Sequence, residues 1–403
     1  MPHNYHTKVL AVVLIIAAQL FAVTEGAAGE QHTSIQSEVR WDILLQTTWE
    51  GYKHNYIFCG ENCGNNLGLV FDPHANYHAV SEGVGYGLLM AVMMDDQPTF
   101  NVVYDAAQRI LRDPNTGLFH WRADNQGNIT GSGSATDADQ DIAAALIFAQ
   151  HRADRGNWEQ HAQLPYGDRA RSLIQAIWAH AVVDGRYLKP GNRFDGDGQA
   201  VTNPSYFSPA WYRIFDVFLA TDQWAGVIEQ GYQTLYGTEG SALGLAPDRS
   251  TAGGSPAEGY CEALAQGRAD CGYGMTYDAI RVSWRIALDC LWFHEPRACN
   301  WNRRGTDFLM SLPQDQRALM YDMVGTPTVT YQDEAMLGMW LTAALAANEE
   351  DVLASLLDTF QREYTNNVAY NKHWGQTPQY YYNQSLAWFG ISLVTGDFRN
   401  LAQ

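Results

Sequence analysis

Helical segments of two kinds alternate along this chain, and that alternation restricts the fold more than any other feature. One kind is apolar and rich in small residues on every side. Ser81-Glu82-Gly83-Val84-Gly85-Tyr86-Gly87-Leu88-Leu89-Met90 and Ile142-Ala143-Ala144-Ala145-Leu146-Ile147-Phe148-Ala149 are examples. A helix that is apolar all round must be enclosed. The other kind carries charge along one side, as in Asp168-Arg169-Ala170-Arg171-Ser172-Leu173-Ile174. Period-3.6 patterns and helix-start signals predict about twelve helices. They begin near Ile35, Ser81, Thr99, Asp137, Asp168, Pro209, Asp222, Tyr277, Arg297, Gln332, Glu349 and Tyr382. Members two, four, eight, ten and twelve are of the enclosed kind. Strand signals are sparse, with Gly185-Arg186-Tyr187-Leu188 one short candidate. Alternating outer and inner helices make an all-α toroid whose inner helices run parallel, so that their N-termini gather on one face.

Polar residues concentrate where the inner helices begin: Ser81-Glu82, Thr136-Asp137-Ala138-Asp139, Asn203-Pro204-Ser205-Tyr206, Tyr277-Asp278 and Gln332-Asp333-Glu334. Aromatic residues join them at Trp121, Tyr206, Phe207, Trp374 and Tyr380 to Tyr382. Ordinary N-capping explains one carboxylate at a helix start. It does not explain repeated carboxylates beside clustered aromatics. Acidic groups flanked by aromatic platforms suit sugars, whose C–H faces pack on rings while their hydroxyls need fixed acceptors. Hydrolysis of a glycosidic bond needs one carboxyl to protonate the leaving oxygen and a second to act on water or on the anomeric carbon.

The chain has 403 residues, of which 46% are hydrophobic and 17% charged. That is enough for one large core. No Ser/Pro/Gly linker divides it. Residues 1–28 read as a secretory signal peptide: a polar start with Lys8, an apolar run from Val9 to Val23, then small residues at Gly26-Ala27-Ala28. Residues 29–403 form a single catalytic domain on this reading. Six cysteines follow the leader. Their clustering predicts local disulfides 59–63, 261–271 and 290–299, in keeping with export. The net charge of −19 disfavours nucleic acid and anionic membranes as partners. The expected product is a secreted, monomeric protein with no cofactor or metal. Asp137-x-Asp139-x-Asp141 opens like a calcium loop, but Ile142 stands where such a loop needs glycine. Asp95-Asp96 lacks the third aspartate of an isoprenoid-cyclase box, and Asn128-Ile129-Thr130 is a glycosylation sequon.

Four ordered blocks give a specific resemblance. Ala135-Thr136-Asp137-Ala138-Asp139-Gln140-Asp141-Ile142-Ala143 matches A-[ST]-D-[AG]-D-x-x-[IM]-A. Ser81 to Gly87 matches S-E-G-x-G-Y-G, Asn203 to Trp211 matches N-P-S-Y-F-x-P-A-W, and Tyr277 to Arg281 matches Y-D-A-x-R. The chain thereby resembles family 8 glycoside hydrolases across almost all of its mature length. The resemblance implies an (α/α)6 barrel and an endo-acting β-1,4-glucanase that inverts the anomeric centre. In it Glu82 is the general acid and Asp278 the general base acting through water, while Asp137 holds the distorted sugar. Tyr206 helps place the water and Arg281 orients Asp278. Trp121, Tyr277, Asp139, Trp374 and Tyr380 complete the expected contacts to a β-1,4-linked polysaccharide. Chitosan and xylan are alternative substrates, and a non-catalytic glycan-binding toroid is the alternative class. Inversion places the two catalytic carboxyl groups roughly 6.5–9.5 Å apart. Two departures stand out: Ala153 where the signature usually ends in an aromatic, and Ser283 where proline is usual.

Overall fold

The computed structural model describes residues 40–193, 199–257, 272–366, 373–374 and 380–403. The leader reading, the Ile35 helix start and the Cys261–Cys271 pairing lie outside the described residues. Twelve α-helices are present among them. They are α1 (Trp41–Tyr52), α2 (Ser81–Met93), α3 (Gln97–Ile110), α4 (Thr136–Asp154), α5 (Tyr166–Ala181) and α6 (Pro209–Leu219), then α7 (Ala225–Gly237), α8 (Arg281–Phe293), α9 (Pro296–Ser311), α10 (Glu334–Ala347), α11 (Glu350–Asn366) and α12 (Tyr381–Thr395).

The even-numbered helices make a closed inner ring. Each packs on the next from α2 through α4, α6, α8 and α10 to α12, and α12 returns onto α2. Each odd-numbered helix lies outside: α1 against α12, α3 against α2, α5 against α4, α7 against α6, α9 against α8 and α10, and α11 against α10. This is the (α/α)6 barrel. Burial follows sequence pattern closely. Every residue of α2 but Glu82 is buried, and every residue of α12 but Tyr382 and the terminal Thr395. By contrast α3 buries one stripe, Thr99, Phe100, Val103, Tyr104, Ala106 and Ala107. Where α10 and α12 cross, Gly338 and Gly390 bring the backbones together; a Cβ on Gly390 would sit 2.3 Å from the Gly338 carbonyl oxygen.

Three features differ from the sequence-based expectation. Helix α6 belongs to the inner ring, although its composition does not show it. Only its first half is enclosed, and Val217 near its end is exposed. Helix α8 begins at Arg281 rather than near Tyr277, because Asp248 accepts the backbone N–H groups of Thr276 (3.0 Å) and Ala279 (2.9 Å) and holds 276–280 as a separate turn. Ser283 falls inside the first helical turn. Two small sheets also interrupt the helices. Strands β1 (Phe71–Asp72), β2 (His78–Val80), β3 (Arg122–Ala123) and β4 (Ile129–Gly131) pair antiparallel in that order, and β2 runs directly into α2. The predicted strand at 185–188 is one arm of a hairpin between β5 (Val182–Val183) and β6 (Tyr187–Leu188). Asp184 and Gly185 turn it, both at positive φ.

Cys59–Cys63 and Cys290–Cys299 are disulfide-bonded, with Cα atoms 5.2 and 4.9 Å apart. The Asp95-Asp96 pair serves packing. Asp95 receives Arg152 (2.8 Å) and the Trp158 indole (2.6 Å), while Asp96 caps α3 through Thr99 N (3.1 Å).

Candidate active site

The inner helices gather their N-termini at one face, and a single guanidinium sits among them. Arg281, the first residue of α8, has no solvent-accessible side-chain surface. Its Nη1 donates to Glu82 Oε2, to Asp137 Oδ2 at 2.8 Å and to the Tyr86 hydroxyl at 3.3 Å. Its Nη2 donates to Ser205 Oγ at 2.9 Å and to Asp278 Oδ1 at 3.1 Å. Glu82 and Asp278 thus lie on two terminal nitrogens of one fork, which keeps their bonded oxygens within roughly 8 Å of each other. The Tyr206 and Tyr382 rings face the same guanidinium, 5.4 and 5.8 Å from it.

One helical turn deeper, Arg285 repeats the arrangement. It pairs with Asp141, which also accepts the Trp211 indole N–H at 2.8 Å. Residues at i and i+4 share a helix face. Asp137 and Asp141 on α4 therefore meet Arg281 and Arg285 on α8 as two rungs across the barrel interior.

Capping does not account for Glu82 or Asp137. The N-cap positions of their helices are Val80 and Ala135, neither of which makes a side-chain cap. It does account for Asp333, which accepts Met336 N at 3.0 Å, and for Asn203, which accepts Ser205 N at 3.0 Å.

The environments of the two outer carboxyls push them in opposite directions. Burial raises Glu82 to about 7, reinforced by the Asp137 and Asp278 charges and opposed by Arg281. The Tyr381 hydroxyl donates to its other oxygen at 2.7 Å. Burial also raises Asp278, but Arg281 and Arg249 outweigh it and hold that carboxyl below the ordinary aspartate range. Asp278 Oδ2 receives Arg249 Nη1 at 2.6 Å and Asn203 Nδ2 at 3.2 Å. Asp137 is raised by burial. The side chains of Glu82 and Asp278 keep 19% and 34% of their surface open, whereas Asp137 keeps 1%. The first two are open to solvent at this face, and Asp137 forms the floor directly beneath them. Among the described residues, Asp137 Oδ1 has no hydrogen-bond partner.

The remaining predicted residues divide. Trp121 is an exposed indole lying on Gly131, and its carbonyl accepts Ser81 N at 3.0 Å, which fixes it beside the start of α2. Tyr277 donates to Asp333 at 2.9 Å, and Tyr380 packs on His74 with ring centres 4.6 Å apart. Two expectations fail. Asp139 is buried and accepts Phe119 N at 3.0 Å, so it orders the 119 loop from below and offers nothing to the cleft. Trp374 is fully buried against Phe360, and its backbone N–H and carbonyl are bonded by the side-chain amide of Gln384 (2.8 and 2.7 Å), so its ring presents no face to a sugar. Sequence reasoning missed Arg249 and Asp248, which lie outside the helices where no periodic signal marks them. The Arg281 contacts to Glu82 and Asp137 also exceed the expected one to Asp278.

A family model, Glycosyl hydrolases family 8, matches residues 30–396. Endoglucanase A of Acetivibrio thermocellus is 37% identical over 308 residues, covering 72% of this chain and 60% of that protein. Endoglucanase 2 of Ruminiclostridium josui is 32% identical over 362 residues, covering 89% and 72%. This chain thus spans 60 to 72% of the length of these two relatives. A solved structure of Rex8A from Paenibacillus barcinonensis in complex with xylose superposes with a TM-score of 0.70 at 21% identity, covering 90% of this chain and 94% of that one. That likeness concerns the fold. With the family match running from before the first described helix to just past the last, this chain belongs to family 8 of the glycosyl hydrolases.

Proposed function

We propose that the chain is a secreted, monomeric endo-β-1,4-glucanase that hydrolyses internal bonds with inversion. The observation that carries this reading is the opposed tuning of Glu82 and Asp278 around Arg281. A general acid must hold its proton near working pH and a general base must have lost it, and carboxyl groups whose environments drive them apart are suited to those two roles. Glu82, raised to about 7, donates a proton to the glycosidic oxygen as the bond to the anomeric carbon breaks. Asp278, held ionised, takes a proton from the water that attacks the opposite face of that carbon. The carboxyl of Glu82 ends ionised and that of Asp278 protonated, and exchange with solvent resets both. Asp137 supplies a buried acceptor, Oδ1, for a hydroxyl of the sugar at the cleavage point. Tyr206, over Arg281 beside Asp278, is placed to orient the water, and Trp121 gives a sugar face a platform. The bound of roughly 8 Å between the oxygens that Arg281 holds admits both the roughly 6.5–9.5 Å spacing of inverting enzymes and the shorter spacing of retaining ones, so inversion rests on membership of the family.

The named relatives support β-glucan as substrate. A second group favours xylo-oligosaccharide: the reducing end xylose-releasing exo-oligoxylanase of Halalkalibacterium halodurans is 25% identical over 356 residues. A reducing-sugar assay on carboxymethyl cellulose, barley β-glucan, xylan and chitosan in parallel separates these. Release from β-glucans with a rapid fall in viscosity supports the endoglucanase. Action on short xylo-oligosaccharides alone refutes it. No release from any substrate, with retained binding, favours the non-catalytic toroid. Export is tested by sequencing the N-terminus of the mature protein, and the oligomeric state by light scattering.

A further inference from the structure

The groups around Asp278 hold more than the acid–base pair requires. Asp278 faces Arg281 from α8, Arg249 and Asp248 from the segment before the 258–271 region, and Asn203 and Tyr206 from the turn before α6. Asp137 faces it from α4, Glu82 from α2 and Tyr382 from α12. An ionised carboxylate has about four in-plane acceptor positions, two on each oxygen. Among the described residues, Oδ2 receives two donors, Arg249 Nη1 at 2.6 Å and Asn203 Nδ2 at 3.2 Å, and Oδ1 receives one, Arg281 Nη2 at 3.1 Å. The open position is on Oδ1.

We infer that Arg249 is a positioning residue for the base: by occupying Oδ2 with Asn203 it leaves the attacking water a single place, on Oδ1. Its charge also helps to hold that carboxylate below the ordinary aspartate range. This rests on the reading of Asp278 as the base. Asp248 completes the clamp from below. Its carboxyl accepts Thr276 N, Ala279 N and the Thr276 hydroxyl, and so fixes the turn that carries Asp278. Adjacent residues 248 and 249 thus secure the backbone and the carboxylate of the same aspartate. The placement also separates the labour of the two arginines. Arg281 touches all three carboxylates, whereas Arg249 donates to Asp278 Oδ2 and to the Asp248 carbonyl, and Glu82 is bonded by Arg281 and Tyr381. Losing Arg249 therefore disturbs the base and leaves Glu82 with its contacts.

The test is the pH dependence of kcat and KM on barley β-glucan for Arg249→Met, Arg249→Lys and Asp278→Asn, with thermal melts of each. Arg249→Met keeps most of the volume without the charge. Its acid limb should move to higher pH, with kcat at the acid end down about tenfold, KM within about twofold and the alkaline limb unchanged. Arg249→Lys keeps the charge and should restore most of the acid limb, with a smaller loss of kcat at all pH values because a point charge replaces the planar fork. An unshifted acid limb in Arg249→Met overturns the inference. So does a rise in KM at constant kcat, which marks a substrate contact, or an equal loss at every pH in both variants with a lowered melting temperature, which marks a structural role. Asp278→Asn separates the two levels. If it is inactive throughout while Arg249→Met is normal, the clamp is wrong and the base stands. If it stays active, the base assignment falls and the clamp with it.

Discussion

Replacing Glu82 by glutamine should stabilise the protein at neutral pH while nearly abolishing turnover. Glu82 ionises at about 7 in the folded chain, against an ordinary value of 4.5. A carboxyl raised on folding opposes folding wherever the unfolded chain would have ionised it. The penalty is absent below 4.5, grows as pH rises, and is complete above about 7. At about 1.4 kcal/mol per pH unit, a rise from 4.5 to about 7 makes the full penalty about 3–4 kcal/mol at most. Glutamine resembles the protonated acid in shape and cannot ionise. It still accepts a hydrogen bond from Tyr381, and Arg281 keeps Asp137 and Asp278 as partners. The variant should therefore match the parent near pH 4 and exceed it by about 2–3 kcal/mol at pH 8. Urea unfolding at both pH values measures this directly. On β-glucan the same substitution should lower kcat by about 10²–10⁴-fold, the range for a lost general acid. Equal stability of the two proteins at pH 8, or a glutamine variant weaker at both values, would refute the reasoning, because Glu82 would then not be a destabilised carboxyl in the folded state.

An aryl glycoside with a good leaving group needs little proton donation, so it should partly rescue Glu82→Gln and not Asp278→Asn; equal failure of Glu82→Gln on both substrates moves the acid elsewhere. The kcat/KM profile on β-glucan should fall on the alkaline side near pH 7, as Glu82 loses its proton, and hold on the acid side below the ordinary aspartate range, because Asp278 stays ionised there. A stopped profile with an alkaline limb above pH 9 contradicts the assignment. Gly390→Ala places a methyl group 2.3 Å from the Gly338 carbonyl, forcing α10 and α12 apart; denaturant unfolding should show a loss of about 1–3 kcal/mol or more, and an unchanged midpoint would mean that the two helices separate freely.

Much of the architecture is readable from side-chain patterning because enclosure leaves a mark on sequence. A helix buried on all sides carries charge only where it meets the cleft or a buried partner, as Asp141 meets Arg285, so Glu82 stands out within Ser81–Met93. The paired spacing Asp137/Asp141 and Arg281/Arg285 is equally local, although its meaning as two ion-pair rungs appears only when α4 and α8 face each other. What escapes the sequence depends on neighbours distant along the chain. Helix α6 looks one-sided because only its first half is enclosed, and its place between α4 and α8 follows from ring closure rather than from its own composition. Trp374 has the residue type of a sugar platform, yet Phe360 and Gln384 enclose it. Asp139 sits in the same motif as Asp137, but two residues further along a helix turns it away to the Phe119 amide. Arg249 has no periodic context at all, and its contact with Asp278 joins a loop to a helix start.

The hydrogen bond from Tyr381 to Glu82 joins residues 299 positions apart, across the seam where α12 closes onto α2. A chain emerging from the ribosome makes Glu82, Asp137 and Asp278 long before Tyr381 exists. Until α12 docks, one wall of the acid's pocket is missing and water can reach the carboxyl. The burial that raises Glu82 is then incomplete, so a partly made chain holds a carboxylate where the finished barrel holds an acid. Contacts of such long sequence separation form late and slowly. Chemical competence should therefore arrive in one step with ring closure, which makes the appearance of activity during refolding a direct clock for the docking of the last helix.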